Sequence, residues 1–111
     1  MKEIKAYVHA NRIGELMAAL KSSNAWGAAA VDEHNLTVYV VQGTLLPIDD
    51  RERHFSVELG DEVVNEYKLE LVCDDGQVDG LVQLIRTVAR TGQATAGWVY
   101  VTDVREAHRI Q

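Results

Sequence analysis

The sequence contains very little cysteine, proline or aromatic residue. Its 111 residues include one cysteine, Cys73, one proline and one phenylalanine, and aromatic residues make up 6% of the chain. A single cysteine excludes an intrachain disulfide and any Cys-x-x-Cys redox or zinc motif. The cysteine content therefore favours a reducing cytoplasm as the compartment.

Positive charge and long apolar runs are also scarce. Eleven basic residues face seventeen acidic ones, which gives a net charge of −6. Nucleic acids and anionic membrane surfaces attract basic proteins, so neither is an expected partner. No apolar run has the length of a membrane-spanning helix or of a signal peptide, so no membrane insertion is expected.

What the sequence does contain is a regular alternation of strand and helix patterns. With 47% hydrophobic and 25% charged residues, it is typical of one globular domain over residues 1–111. Alternating apolar residues over Ile4–Val8 predict a strand, and apolar positions 13, 16, 17 and 20 predict a helix. Two further strands are expected on either side of a turn at His34–Asn35, over residues 27–31 and 36–41.

The second half repeats this order. Alternation over Tyr67–Cys73 predicts a strand, and the apolar stripe that follows predicts a helix to Arg90. A loop over Thr91–Gly97 then leads to a strand over Trp98–Thr102. Two strand-helix-strand units of this kind predict an α+β fold, the ferredoxin-like βαββαβ arrangement, with an antiparallel four-stranded sheet and both helices on one face.

Two regions are expected to lie outside the packed core. The open face of the sheet is expected to carry Tyr7, Tyr67 or its neighbours, Trp98 and Tyr100, depending on register, and an apolar face of this kind is usually covered by another subunit. The second region is a long mobile loop over residues 42–62, which holds the only proline and the charged run Asp49–His54. Loops this long inside compact domains are usually functional or disordered.

Several runs of residues resemble the PII signal-transduction proteins and the wider PII-like group. They are Met1–Ala6, Arg12–Leu16 and Tyr67–Ile110, the last including Ala89-Arg90-Thr91-Gly92 and Gly97-Trp98-Val99-Tyr100-Val101. The resemblance implies a trimeric ferredoxin-like regulator with an adenine-nucleotide site between adjacent subunits. Backbone N–H groups of a glycine-bearing loop and nearby arginines would hold the phosphates. The residues implied for this site are Gln42, Gly43, Arg90, Thr91, Gly92, Gly97, Trp98 and Arg109.

The chain departs from the family pattern where phosphate would be bound. The family's second loop reads Thr-Gly-x-x-Gly-Asp-Gly-Lys, whereas this chain ends the same loop in Ala96-Gly97-Trp98. The lysine is lost, and the family's second C-terminal arginine falls at Gln111. The resemblance therefore implies ADP or AMP rather than Mg-ATP as the effector. The implied partner is a target protein, such as a membrane transporter or a bicarbonate system, engaged by the 42–62 loop.

Other interpretations of the same residues stay open at this point. Thr91–Gly97 is also typical of a helix end followed by a glycine that opens a strand, and Trp98 suits either a stacked base or a subunit interface. The four histidines have no metal-ligand spacing and are expected as scattered surface residues, so no metal is predicted, and Cys73 is expected to be buried. No catalytic constellation is recognisable, so an enzyme is not expected. The alternative functions are a ferredoxin-like module for a metal or an amino acid, and a trimeric adaptor without a ligand.

Overall fold

The computed structural model describes residues 1–26 and 36–111, so the strand predicted over residues 27–31 lies outside the described residues. Two helices and an antiparallel sheet account for most of the described chain. The elements are β1 Lys2–His9, α1 Ile13–Ser22, β2 Thr37–Gly43, β3 Arg53–Ser56, β4 Asp61–Cys73, α2 Val78–Val88 and β5 Trp98–Asp103. Short 3-10 turns occur at Asn24–Trp26, Asp50–Glu52 and Asp75–Gln77.

The sheet has the strand order β2-β4-β1-β5, and every pairing is antiparallel. In the chain, α1 lies between β1 and β2, and α2 lies between β4 and β5; in neither case are the two strands adjacent in the sheet. This is the connectivity of the ferredoxin-like fold. The predicted fold class is therefore confirmed. β3 is an addition to it and pairs with the first residues of β4.

The core lies between the sheet and the two helices. Because side chains alternate between the faces of a strand, every second residue of the central strands β1 and β4 points to the helices. Each large aliphatic side chain buried there contributes about 1.5–3 kcal/mol. The burial of Cys73 is confirmed, and it raises the pKa of the thiol. The core residues are Ile4, Ala6, Val8, Leu16, Leu20, Leu69, Leu71, Cys73, Leu81 and Ile85.

The opposite face of the sheet carries aromatic side chains. Register places Tyr7 beside Trp98 of β5 and beside Lys68 of β4, on the face away from the helices. The rings of Trp98 and Tyr100 stack with centroids 6.5 Å apart. Of the alternatives Tyr67 or its neighbours, the structure places the neighbour Lys68 on this face. Tyr67 has the same parity in β4 as Leu69, and its ring packs against the helix-side core.

A charged cluster lies among these aromatic rings. The Lys68 ammonium is 5.6 Å and 5.3 Å from the ring centroids of Tyr7 and Tyr39, and 3.1 Å from the Glu70 carboxylate. The Tyr39 hydroxyl donates to the same carboxylate at 2.8 Å. The hydrogen bond from Tyr39 and then the contact with Lys68 lower the pKa of Glu70. The open face is therefore polar at its centre and aromatic at its β5 edge.

Segment 42–62 is not one continuous loop. The turn Asp50–Glu52 is capped at Asp49, and β3 then forms a hairpin with the start of β4. At the hairpin tip, Gly60 takes a left-handed φ of 68° and its N–H donates to the carbonyl of Ser56 at 2.8 Å. β3 was not predicted, because the strand has only four residues, two of them Arg53 and His54. The mobility of this segment stays a prediction.

The side chain of Arg12, just before α1, is hydrogen-bonded to the end of α2. Its Nε and Nη2 atoms donate to the carbonyl of Val88 at 2.9 and 2.6 Å, and Nη2 also contacts the Glu15 carboxylate at 2.8 Å. The last carbonyls of a helix have no partner within the helix, and a cation there is favourable. The helix ends at Val88 rather than at the predicted Arg90. The loop that follows therefore begins directly after the residue that Arg12 binds.

Replacing Arg12 with methionine tests this contact. We expect Arg12→Met to lower the free energy of unfolding by about 1.5–3 kcal/mol, because a charge-assisted hydrogen bond to Val88 is lost. Urea denaturation measures the change. Lys21→Met, at an exposed position of α1, is the control and should leave stability nearly unchanged. Equal losses in both variants would contradict the role assigned to Arg12.

Candidate functional site

A cavity of about 540 Å³ lies where α2, the loop 89–97 and β5 meet. Its walls are the last turns of α2, most of the loop, the first residues of β5, and Tyr7 and Val8 of β1. This volume lies within the range of small-molecule sites, about 300–1,000 Å³. Of the residues predicted for a ligand site, the cavity is lined by Arg90, Gly92, Gly97 and Trp98.

The remaining predicted residues have other places. Thr91 acts within the loop: its hydroxyl donates to the Gln93 Oε1 atom at 2.7 Å and accepts from the Gln93 N–H at 3.3 Å. Gln42 and Gly43 end β2, and Gly43 lines a second cavity of about 260 Å³ at the base of the hairpin. Arg109 lies in the exposed C-terminal segment, outside the lining of both cavities.

The charge of the large cavity is opposite in sign to that of the chain. Arg86 and Arg90 line it, and no carboxylate is among its lining residues in the described ranges. The chain as a whole carries a net charge of −6. Arg86 was not among the predicted site residues, although its spacing of four from Arg90 near the end of a helix was a usable signal. The cavity is therefore suited to an anionic ligand.

Two glycines shape the loop. Gly92 has a left-handed φ of 88° and lies within the loop rather than directly after the helix, whose C-cap is Ala89. At Gly97, a Cβ atom would overlap the carbonyl oxygen of Tyr7. Only glycine lets the loop approach β1 this closely, so Gly97 brings the loop against the central sheet.

The loop also contacts the segment that follows β2. The Gln93 Nε2 atom donates to the carbonyl of Leu46 at 2.9 Å and to that of Pro47 at 3.4 Å. No pattern in the sequence indicated this contact, because it joins two irregular segments far apart in the chain. The large cavity is therefore connected directly to the segment that leads into the hairpin.

Glu66, in strand β4 of the sheet, also binds the segment that follows β2. Glu66 is 6% exposed, and its carboxylate accepts the N–H of Leu45 at 3.2 Å and fills the space where a side chain at Gly43 would lie. Burial of a carboxylate is costly unless it is hydrogen-bonded. Glu66 therefore requires this conformation of the chain after β2, and the glycine at position 43 permits it.

Within residues 1–26 and 36–111, no group of three or more His, Cys, Asp and Glu side chains is arranged to hold a metal ion. No helix in these ranges is long and apolar enough to cross a bilayer. His9 was expected at the surface but is 3% exposed, because it ends a central strand. His34 lies outside the described residues.

Substitution of Gly97 tests the close approach of the loop to β1. We expect Gly97→Ala to lower the free energy of unfolding by about 1–3 kcal/mol, because the new methyl group must displace backbone atoms. Chemical denaturation measures the loss. Gly14→Ala is the matched control: Gly14 lies in α1 with no other atom within 4 Å, so its replacement should leave stability unchanged or slightly higher. A stable Gly97→Ala variant would contradict the overlap.

Comparison with known proteins agrees with this architecture. The family model described as "Nitrogen regulatory protein P-II" matches residues 1–111. Nitrogen regulatory protein P-II of Nostoc punctiforme is 30% identical over 111 residues, which cover 100% of this chain and 92% of the relative. The P-II protein of Synechocystis is 29% identical with the same coverage. Nitrogen regulatory protein P-II 2 of Methanothermobacter thermautotrophicus is 27% identical, with 100% and 90% coverage. The chain therefore belongs to the nitrogen regulatory protein P-II family, a family of signal-transduction regulators.

Proposed function

We propose that this P-II protein is a homotrimer that binds an adenine nucleotide in clefts between its subunits. ADP or AMP is favoured over Mg-ATP. The bound state is signalled through segment 42–62 to a target protein, such as a membrane transporter or a bicarbonate system. The observation that carries the proposal is the cavity beside loop 89–97, with two arginines and no carboxylate among its described lining residues.

The chemistry of the cavity suits a phosphate group. Guanidinium groups form paired hydrogen bonds with phosphate oxygens, and backbone N–H groups of a glycine-bearing loop can approach them closely. Arg86 and Arg90 supply the charge, and Gly92 and Gly97 allow the approach. Trp98 stands where the family pattern has a lysine, so one phosphate-pairing charge is missing. Fewer phosphates on the ligand match this smaller positive charge.

The same cavity has apolar walls that suit an aromatic base. Val82 and Val99 line it, and Trp98 is 57% exposed. A purine base can stack on an exposed indole ring with a gain of about 1–3 kcal/mol. Adenine is therefore a better match than a purely anionic metabolite.

A neighbouring subunit would complete the site. Arg109 lies outside the cavity of its own chain, and the resemblance to PII proteins implies that the C-terminal segment reaches the site between subunits. The open sheet face also favours assembly, because Tyr39 and Tyr100 are each at least 42% exposed there. Aromatic surface of this kind is usually covered by a partner subunit.

Segment 42–62 offers a surface for a target protein. The hairpin presents Phe55, Val57 and Leu59, which are 62%, 86% and 59% exposed. Exposed apolar residues on an ordered turn are typical of a docking surface. In line with the cysteine content of the chain, we place this signalling in the cytoplasm.

Calorimetry with ADP, AMP and Mg-ATP tests the proposed ligand. We expect ADP or AMP to bind more tightly than Mg-ATP, because the site lacks a phosphate-pairing lysine. Quenching of Trp98 fluorescence should accompany binding. An assembly that is trimeric by light scattering yet binds none of the three nucleotides would overturn the proposed ligand. In a thermal-shift screen, stabilisation by amino acids or zinc alone would instead favour the metal- or amino-acid-binding module.

Replacement of Arg90 or Arg109 by alanine tests whether their charges contribute to nucleotide binding. We expect Arg90→Ala to weaken nucleotide binding about tenfold or more, since a charged hydrogen bond contributes about 1.5–3 kcal/mol. Arg109→Ala should also weaken it if the neighbouring subunit supplies that charge. Lys21→Ala removes the same charge from exposed α1 and should bind nucleotide normally. Wild-type affinity in Arg90→Ala would remove this residue from the site.

A further inference from the structure

We propose that Gln93 is the positioning residue through which occupancy of the large cavity controls the segment leading to the hairpin, residues 44–52, and the hairpin itself, residues 53–64. The inference rests on the proposed function, because it takes the cavity as the nucleotide site. It assigns the communication between cavity and hairpin to one side-chain amide.

The Gln93 amide has a defined orientation. Thr91 donates its hydroxyl proton to Gln93 Oε1 at 2.7 Å, so the NH₂ group must face the other way. On that side it meets two carbonyl oxygens, those of Leu46 and Pro47, at 2.9 and 3.4 Å. Both neighbours therefore select the same orientation, and the side chain acts as a bridge rather than as a free surface glutamine.

Segment 44–52 has few other attachments to the body of the protein. On one side of the bridge, the N–H of Leu45 donates to the buried Glu66 carboxylate at 3.2 Å. On the other side, Ile48 and Asp49 both donate their N–H groups to Glu52 Oε1 at 2.9 Å, within the segment. Among the described contacts, Gln93 is thus the attachment that comes from the cavity.

The turn after Pro47 transmits a displacement to the hairpin. The capping box that joins Asp49 and Glu52 makes residues 48–52 one hydrogen-bonded unit. Arg53, the next residue, starts β3, which pairs with β4 as far as Ser56. A change in the position of the Leu46 and Pro47 carbonyls therefore moves a rigid turn joined to the hairpin, not a free loop.

Occupancy of the cavity would strengthen the bridge. Gln93 itself lines the cavity, and a ligand held by the backbone of loop 89–97 restricts the loop to one conformation. A restricted Gln93 loses less freedom on bonding to Leu46 and Pro47, so ligand binding and attachment of segment 44–52 favour each other. Such a linkage is reciprocal: a partner that detaches the segment weakens ligand binding by the same factor.

Hydrogen exchange of the ligand-free full-length protein tests the bridge itself. Gln93→Met keeps the length of the side chain but has no amide, and Gln93→Glu places a carboxylate against two carbonyl oxygens. We expect amides of residues 44–64 to exchange about fivefold faster in both variants, the factor that corresponds to one net hydrogen bond. Gln83→Glu, on the exposed surface of α2, is the charge-matched control and should exchange as the wild type does.

The same measurement with saturating ADP tests the communication. In the wild type, ADP should slow exchange in both loop 89–97 and residues 44–64. In the two Gln93 variants it should slow exchange in loop 89–97 alone, a separation that a general loss of stability would not produce.

Two outcomes would overturn the inference. One is ligand-free exchange of residues 44–64 that is the same in Gln93→Met as in the wild type. The other is an ADP effect on residues 44–64 that persists undiminished in both Gln93 variants. Failure of ADP to bind the wild type would instead count against the proposed nucleotide, while the ligand-free comparison would still decide whether Gln93 holds the segment.

Discussion

The pairing of β1 with β4 is the constraint on which the rest of the structure depends. These two central strands are paired from Lys2–Cys73 to His9–Glu66, and each other strand is attached to one of them. Their alternate side chains form the floor of the core on which both helices pack. The cavity also depends on this strand pair, because loop 89–97, which forms one of its walls, is positioned by the close contact of Gly97 with the backbone of β1.

A local positive charge in an acidic protein distinguishes the large cavity from the rest of the described surface. Arg86 and Arg90 reach the cavity from the end of α2, and Arg12 satisfies the last carbonyl of that helix. The end of α2 would otherwise present partial negative charge to the cavity. Arg12 thus binds the last carbonyl of the helix, whereas Arg86 and Arg90 line the cavity.

The sequence predicted those parts of the molecule that have a local periodic signal. Alternation over Ile4–Val8 and Tyr67–Cys73 located the two central strands, although β4 already begins at Asp61, and the apolar stripes located the helices. The hydrogen bond between Gln93 and Leu46 could not be predicted from the sequence, because a contact between two irregular segments produces no periodic pattern. Arg86 was overlooked because an arginine near a helix end is usually explained by the helix dipole alone. Arg109 lies in the exposed C-terminal segment outside both cavities, so its role in the site stays a prediction.

The long sequence separation within the β1–β4 pair also has a consequence for synthesis of the chain. Lys2 finds its partner in Cys73 on one side and in Asp103 on the other. During translation the first strand therefore lacks both of its partner strands until the second half of the chain has left the ribosome. Contacts between such distant residues slow folding and expose nascent chains to aggregation. This protein is thus expected to depend on chaperones early in its life more than a helical protein of equal length would.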